Sequence, residues 1–373
     1  MNQNNNIKQF SYVGIGRLTA IGIQAVFYFI FARLLIPESY GELSVIIALA
    51  GTFSIFSRFG LNITLQVQQA KRNVEVSDKI KTLVLFSTIA ASLILLPINI
   101  FASLLCLGLS LFTMSQQDLL GLKNYKKFMH FSILRAGLFI LFPILFYFVL
   151  EIPGIIIGMA ISNLVASIPF FYKFKIKSFF ELKDHIKVII HNYVMDSSGS
   201  LEFTLDKLII ASFMGLYLVG VYQLNVQVLL ALGVIPTILS SYLISEESSG
   251  FTHKKISYLA LLSSVIVAIL AIFSVPYLVN EFLPKYSEGI SSMQIMILTI
   301  IPQTIGSYFG AKLISRESTK MGYIALIKLI AFLILIVFLG DLYGLIGLSL
   351  ALLLSTLVGL FVLLLYFKKQ QSK

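Results

Sequence analysis

Residues 152–172, 256–280 and 342–367 pass without one Asp, Glu, Lys or Arg. A hydrocarbon core about 30 Å thick is crossed by about 20 apolar helical residues, so each of these windows predicts one membrane crossing. Two further uncharged runs, 82–117 and 208–245, are too long for one crossing. The punctuation Leu96-Pro97-Ile98-Asn99 and Met214-Gly215-Leu216-Tyr217 marks where each folds back. The chain as a whole is 58% hydrophobic and 12% charged, whereas about 25% of residues are charged in soluble domains. Lipid offers no hydrogen bonds to the backbone, so spanning segments of this kind close their hydrogen bonds as helices. The prediction is an all-α polytopic membrane protein with about twelve transmembrane helices. They fall near 13–32, 43–64, 82–97, 100–120, 131–150, 153–172, 188–212, 219–243, 256–279, 288–311, 321–340 and 343–367.

Several functional classes lose their footing at this point. The polar lead MNQNNNIKQF carries no small-residue cleavage site, so no signal peptide is expected. The single cysteine, Cys106, rules out an internal disulfide and a cysteine metal cluster. His130, His185, His191 and His253 share no metal-ligand spacing, so no metal is expected. No G-x-x-x-x-G-K-[ST] motif is present to bind a nucleotide phosphate.

Short cytoplasmic loops retain Lys and Arg. One side collects Lys8, Lys71, Arg72, Lys79, Lys81, Lys123, Lys126 and Lys127. It continues through Lys173, Lys175, Lys177, Lys183, Lys187, Lys254, Lys255, Lys312, Arg316 and Lys320 to Lys368, Lys369 and Lys373. The opposite loops hold Arg33 and Lys285. Both termini are therefore predicted to be cytoplasmic. The same asymmetry explains the net charge of +11, which leaves no need for a nucleic-acid partner. The basic loop YKFKIKSFFELKDHIK at 172–187 divides the chain into an N-terminal six-helix lobe, 1–180, and a C-terminal six-helix lobe, 181–373. Six is even, so both lobes start on the same side, the arrangement of parallel repeats. Laying Ala32 over Ala211 also lays Gly41 over Gly220, each between the first two helices of its lobe.

FARLLIPESYGELSV at 31–45 interrupts two apolar runs. It is expected to be an outer hairpin: Arg33 closes the first helix, Pro37 and Gly41 permit the reversal, Glu38 and Glu42 sit in water, and Tyr40 anchors at the interface.

Three stretches, in order, are similar to one family. ARLLIPESYGELSVI resembles the LLGPEEYG-type hairpin of Wzx-type polysaccharide biosynthesis flippases in the multidrug/oligosaccharidyl-lipid/polysaccharide (MOP) exporter superfamily. LDKLIIASFMGLYLVGVYQLNVQVL at 205–229, with its G-x-x-x-V-G-x-Y turn ending at Tyr222, resembles that family's seventh and eighth helices. FLPKYSEGISSMQIMIL at 282–298 is similar to the segment opening the tenth. The chain departs at Ile36, where a glycine is usual, and at Leu283-Pro284, and 373 residues is short for the family. The resemblance implies a MOP fold in the cell membrane and a substrate that is a polyprenyl-(pyro)phosphate-linked glycan among membrane lipids. It also implies a pathway setting with a glycan polymerase or glycosyltransferases.

Charge inside a membrane faces a cavity, a partner or the interface. Arg17, Gln24 and Tyr28 form one polar stripe at helical spacing, and Arg58 lies at similar depth on the second helix. Two guanidiniums so placed suit a pyrophosphate. In HNYVMDSSGSLEFTLDKLII, Asp196, Ser200, Phe203 and Lys207 share one face, and Glu202 and Asp206 share the next. A helix this polar is expected to line a cavity. Lys328 on the eleventh helix is a further cavity cation, or a partner for one of these acids. Arg135 stands close enough to the cytoplasmic end to snorkel and is set aside. Asn163, Gln223, Gln227, Gln303, Ser307 and Tyr308 read chiefly as hydrogen-bonding glue between helices.

The expected function is translocation of a lipid-linked oligosaccharide from the inner to the outer leaflet, without enzymatic chemistry, through a cationic cavity that opens to each side in turn. Arg17, Arg58, Lys207, Lys328, Gln24 and Tyr28 would hold substrate. Two negative charges leaving a negative interior release roughly 4–5 kcal/mol at 100 mV, at about 2.3 kcal/mol per charge. The alternative is a cation-coupled multidrug or metabolite antiporter with Asp196, Glu202 and Asp206 as H+ or Na+ sites. A basic lining suits cationic drugs poorly. A membrane glycan enzyme is disfavoured because no outer loop holds a carboxylate cluster or a histidine.

Overall fold

The computed structural model describes residues 3–172, 174–178, 186–234, 236, 237, 239, 243, 254–315 and 320–371. All regular structure among them is helical. The helices are α1 (Gln3–Leu34), α2 (Pro37–Arg58), α3 (Leu61–Ala70), α4 (Val74–Leu95), α5 (Ile100–Gly121), α6 (Tyr125–Ala166), α7 (Ile186–Met214), α8 (Leu216–Leu232), α9 (Lys254–Phe282), α10 (Ile290–Ile297), α11 (Ile300–Ser315) and α12 (Lys320–Gln371). Among the described residues, seven helical stretches are long and apolar enough to cross a membrane. Their outward faces fit lipid, since Phe273 on α9 is 79% exposed and Phe338 and Phe361 on α12 are each 63% exposed. Water would penalise such exposure, and hydrocarbon does not.

The helices group into two compact units. The first takes Met1–Tyr28 and Val45–Leu205, and the second takes Phe29–Ser44 and Asp206–Lys373. The expected division at 180/181 falls outside the described residues. In the first unit α5 packs against α3, α4 and α6. In the second, α10 packs against α8, α9 and α12.

Local chemistry sets the breaks. After α3 the chain turns through Arg72 at φ 58°, and after α5 through Lys123 at φ 55°. Each is followed by an asparagine, Asn73 or Asn124, whose amide bonds back five residues to Gln68 or Leu119. The side chain of that asparagine then caps the next helix, accepting from Val76 N or Lys127 N. One left-handed residue and one cap thus stop a helix and start the next. Asn99 caps α5 in the same manner, accepting from Ala102 N at 2.9 Å. Between α2 and α3, Phe59 and Gly60 both have positive φ, so the helix bends immediately after Arg58.

The 31–45 stretch departs from expectation. Only Leu35 and Ile36 separate α1 from α2, and Pro37 opens α2, where its missing N–H costs nothing. Arg33, Glu38 and Glu42 are exposed as expected. Gly41 does not form the reversal; it lies within α2 against the start of α8. A methyl group on Gly41 would strike the Leu216 carbonyl, and one on Gly220 would strike the Pro37 carbonyl. The two glycines matched by sequence therefore meet in a reciprocal backbone contact. Tyr40 is not an interfacial anchor either. It is fully buried and lies edge-on to Tyr286, with ring centroids 5.9 Å apart.

α6 holds 42 residues, about 60 Å of helix and enough for two crossings. It kinks at Glu151 (φ 53°, ψ −133°), and α12 kinks at Gly344 with nearly the same angles (φ 57°, ψ −135°). Three residues on, Gly154 and Gly347 each lie against a backbone carbonyl of the preceding segment, Phe146 and Leu339 respectively. The same turn is built twice.

Lys81, expected among the loop cations, is instead buried. Its Nζ lies 2.6 Å from Asp118 Oδ2, and Gln69 Nε2 donates to the other carboxylate oxygen at 2.5 Å. α4 begins at Val74 rather than near 82, which draws this lysine into the packing between α3, α4 and α5. A buried ammonium persists only with such a partner.

Gly41→Ala and Gly220→Ala should each destabilise the protein by about 1–3 kcal/mol, because a backbone must move aside. Thermal unfolding in detergent would read this as comparable falls in Tm. Glu151→Gly should act the other way, relieving about 1 kcal/mol of positive-φ strain and raising Tm.

Candidate functional site

The polar groups inside the membrane helices form separate clusters, and each belongs to one unit. In the first unit Arg58 is buried, with Nη1 donating to Ser54 Oγ at 2.8 Å and to Thr113 Oγ1 at 3.4 Å. Ser110 Oγ lies 3.0 Å from the hydroxyls of both Ser54 and Ser57, and Thr88 donates to Ser57 at 3.3 Å. Hydroxyls of α2 and α5 thus accept from the guanidinium, and Thr88 of α4 extends the same network through Ser57. Arg17 occupies different surroundings, exposed on α1. Gln24 is exposed within hydrogen-bonding reach of Tyr28, which is buried.

Tyr28 leads to a residue that sequence reasoning set aside. Arg135, on the first half of α6, is half-buried and lies within electrostatic reach of Tyr28. Its Nε donates to Asn163 Oδ1 at 2.9 Å, and Asn163 in turn donates to the Met159 carbonyl at 2.7 Å. The guanidinium carbon lies 4.7 Å from the Phe112 ring centroid and 4.5 Å from that of Phe139. Distance along one helix suggested snorkelling; the neighbours that hold the arginine inside come from α1, α5 and the second half of α6. Asn163 itself was the available signal, a fully buried amide one crossing later.

On α7, Glu202 is buried in the first unit, and Asp206 and Lys207 are buried in the second. Lys207 Nζ lies 2.9 and 3.0 Å from the two Asp206 oxygens, and the Lys207 amide donates to Asp206 Oδ1 at 2.7 Å. The Tyr222 ring lies 5.9 Å from the ammonium. Adjacent residues thereby cancel each other's charge. The Asp196 side chain lies outside the described residues. Lys328 is half-buried, its aliphatic stem against Gly359. Gln223 and Gln227 are buried on α8, beside Asn225, which donates to Ser292 Oγ at 3.0 Å. Ser292 then bonds the Leu345 carbonyl and Ser349, tying α8, α10 and α12 together. Gln303 and Ser307 are half-buried on α11, and Tyr308 lines a cavity of about 400 Å³ with Lys312 and Phe367. Among the described residues no cluster of His, Cys, Asp and Glu could hold a metal ion.

The helix order and paired kinks can be set beside known structures. A lipid II flippase, MurJ, in an inward closed conformation superposes with a TM-score of 0.79 at 16% identity, over 95% of this chain and 87% of that one. A multidrug resistance MATE family transporter of the MOP superfamily, in its inward-facing conformation, gives 0.65 at 14% identity over 98% of each chain. The chain shares the fold of these two proteins. A Pyrococcus furiosus MOP superfamily transporter, described as having a binding pocket of reversed polarity, gives 0.62 at 16% identity over 98% of this chain and 96% of that one. Residues 7–139 match the family model described as polysaccharide biosynthesis protein. An uncharacterized membrane protein of Methanocaldococcus jannaschii is 24% identical over 96% of this chain and 97% of its own length. This chain is thus a multi-pass membrane protein whose named structural neighbours are a flippase and transporters.

Removing one partner of a buried ion pair leaves the other uncompensated. Asp206→Ala should therefore destabilise the protein by about 3–5 kcal/mol, whereas Asp206→Leu combined with Lys207→Leu should recover most of that loss. Unfolding midpoints of the two variants in detergent measure the difference.

Proposed function

We propose that this protein is a flippase that carries a (pyro)phosphate-anchored, lipid-linked oligosaccharide from the cytoplasmic to the outer leaflet by alternating access. The observation that carries the reading is the superposition on a lipid II flippase at a TM-score of 0.79, against 0.65 for the MATE transporter. The family-model match over residues 7–139 points the same way. In this reading the chain crosses the membrane about twelve times with both termini cytoplasmic, as its Lys and Arg distribution favours. Arg58, held among hydroxyls, and Arg17 and Lys328 contribute positive charge to a path for the anionic headgroup, to which Gln24, Tyr28 and the neutral Lys207–Asp206 pair add polar groups. The membrane potential drives the anion outward.

The second reading is a cation-coupled antiporter, favoured by the MATE-like fold and the buried carboxylate of Glu202. The pairing of Asp206 with Lys207 weakens it, because that carboxylate already holds a cation. A coupling ion, H+ or Na+, would then act at Glu202 or Asp196. The same ion could accompany flipping. A glycan polymerase or glycosyltransferases of the same pathway would supply and consume the cargo.

Proteoliposomes loaded with a fluorescent polyprenyl-pyrophosphate-linked saccharide, with outer-leaflet label quenched chemically, test the reading. The protein should accelerate leaflet exchange, faster with a potential that is negative on the donor side. Arg58→Ala should slow it about tenfold or more, since a charge-assisted contact to phosphate is worth about 1.5–3 kcal/mol. Exchange no faster than in protein-free vesicles would sink the proposal.

A further inference from the structure

The kinks of α6 and α12 set a register between the two helices. With Glu151 laid on Gly344, Gly154 falls on Gly347, Ser162 on Ser355, Leu164-Val165 on Leu357-Val358, and Phe139 on Phe332. The match is supported by geometry as well as identity, since Gly154 and Gly347 each abut the carbonyl eight residues earlier. In this register Arg135 falls on Lys328. The repeated hairpin therefore carries a cation at the same place in both copies, one in each unit.

The surroundings of Arg135 say what such a cation is for. Asn163 takes its Nε and is itself pinned by the Met159 carbonyl, so the position of the guanidinium is set. Phe112 and Phe139 hold it by ring contact, which consumes no N–H. Among the described residues no carboxylate pairs with it, and its remaining N–H groups have no hydrogen-bond partner. The side chain as a whole is half-buried, so packing does not close over all of it. A half-buried fork held by neutral neighbours, with its terminal N–H groups free to converge on one acceptor, matches the paired oxygens of a phosphate. If the only task were to tie the two halves of α6 together, a neutral donor to Asn163 would serve equally. Lys328, with its stem against Gly359, places an ammonium at the corresponding point of the second copy.

We propose that Arg135 and Lys328 are equivalent headgroup positions, one in each repeat, and that each receives phosphate oxygens of an anionic polyprenyl-type lipid. The substrate class rests on the flippase reading; the site itself rests on the repeat and on the neutral cage around Arg135.

The full chain in lipid nanodiscs, titrated calorimetrically with farnesyl pyrophosphate and with inorganic pyrophosphate, tests this. Arg135→Gln and Lys328→Gln should each raise the Kd for farnesyl pyrophosphate about tenfold or more. Asn163→Asp guards against misfolding as an explanation. It offers Arg135 an internal carboxylate, so it should preserve or raise Tm while weakening binding to the same degree. Binding by Arg135→Gln and Asn163→Asp within about twofold of the parent overturns the site, as does a parent that binds neither compound. Unchanged binding by Lys328→Gln overturns the equivalence of the repeats. Inorganic pyrophosphate bound as tightly as the farnesyl compound overturns the lipid assignment. Failure of the flippase reading looks different: the parent binds farnesyl pyrophosphate in an Arg135-dependent manner yet leaves leaflet exchange unaccelerated.

Discussion

Hydrocarbon supplies neither a hydrogen bond for a peptide group nor a counter-charge for an ion, and the rest of this structure follows from that. The first deficiency leaves helix as the regular structure of the described residues and makes every helix end a problem to be solved on the spot. The solutions are short: a left-handed Arg72 or Lys123 followed by an asparagine cap, a proline at the first position of α2, a kink at Glu151 or Gly344. Each reverses or bends the chain within two or three residues, so little backbone is left without a partner.

The second deficiency sorts the charged side chains. Lys81 meets Asp118, and Lys207 meets Asp206, at 2.6 and 2.9 Å. These pairs hold their elements in place and present little net charge to a substrate. Arg58 and Arg135 are treated differently. Hydroxyls accept from the first, and an amide with two aromatic rings holds the second, so neutral polar and aromatic groups stand beside both guanidiniums. That contrast bears on transport of an anion. A carrier needs charge that is retained but affordable, and neutral polar neighbours supply it where a carboxylate would compete with the cargo.

Much of the architecture was legible in the chain. Several of the uncharged windows fall on helices long and apolar enough to cross a membrane, because length and apolarity are local properties, and the match of Gly41 with Gly220 picked out two positions of close backbone approach. What that match could not convey was that the two glycines touch each other. Tyr40 was misread for a related reason: a tyrosine beside a charged turn resembles an interfacial anchor until Tyr286, far along the chain, is seen packing on it. Lys81 was assigned to a loop because α4 starts several residues before its apolar run does, on the strength of the Asn73 cap.

The candidate site was legible only in its ingredients. Arg58, Glu202, Asp206 and Lys207 stand out in any reading of intramembrane charge, and all four are buried. Arg135 was passed over because its distance from a helix end, counted along one helix, allowed escape to the interface. Residues from three other segments, Tyr28, Phe112 and Asn163, stand around it instead. The sequence by itself determined that this is a helical membrane protein, where its chain turns, and which residues bear costly charge, since those depend on composition and local spacing. Only the tertiary structure decided which groups stand beside each charge, because that depends on the neighbours that packing brings within about 3 Å of it.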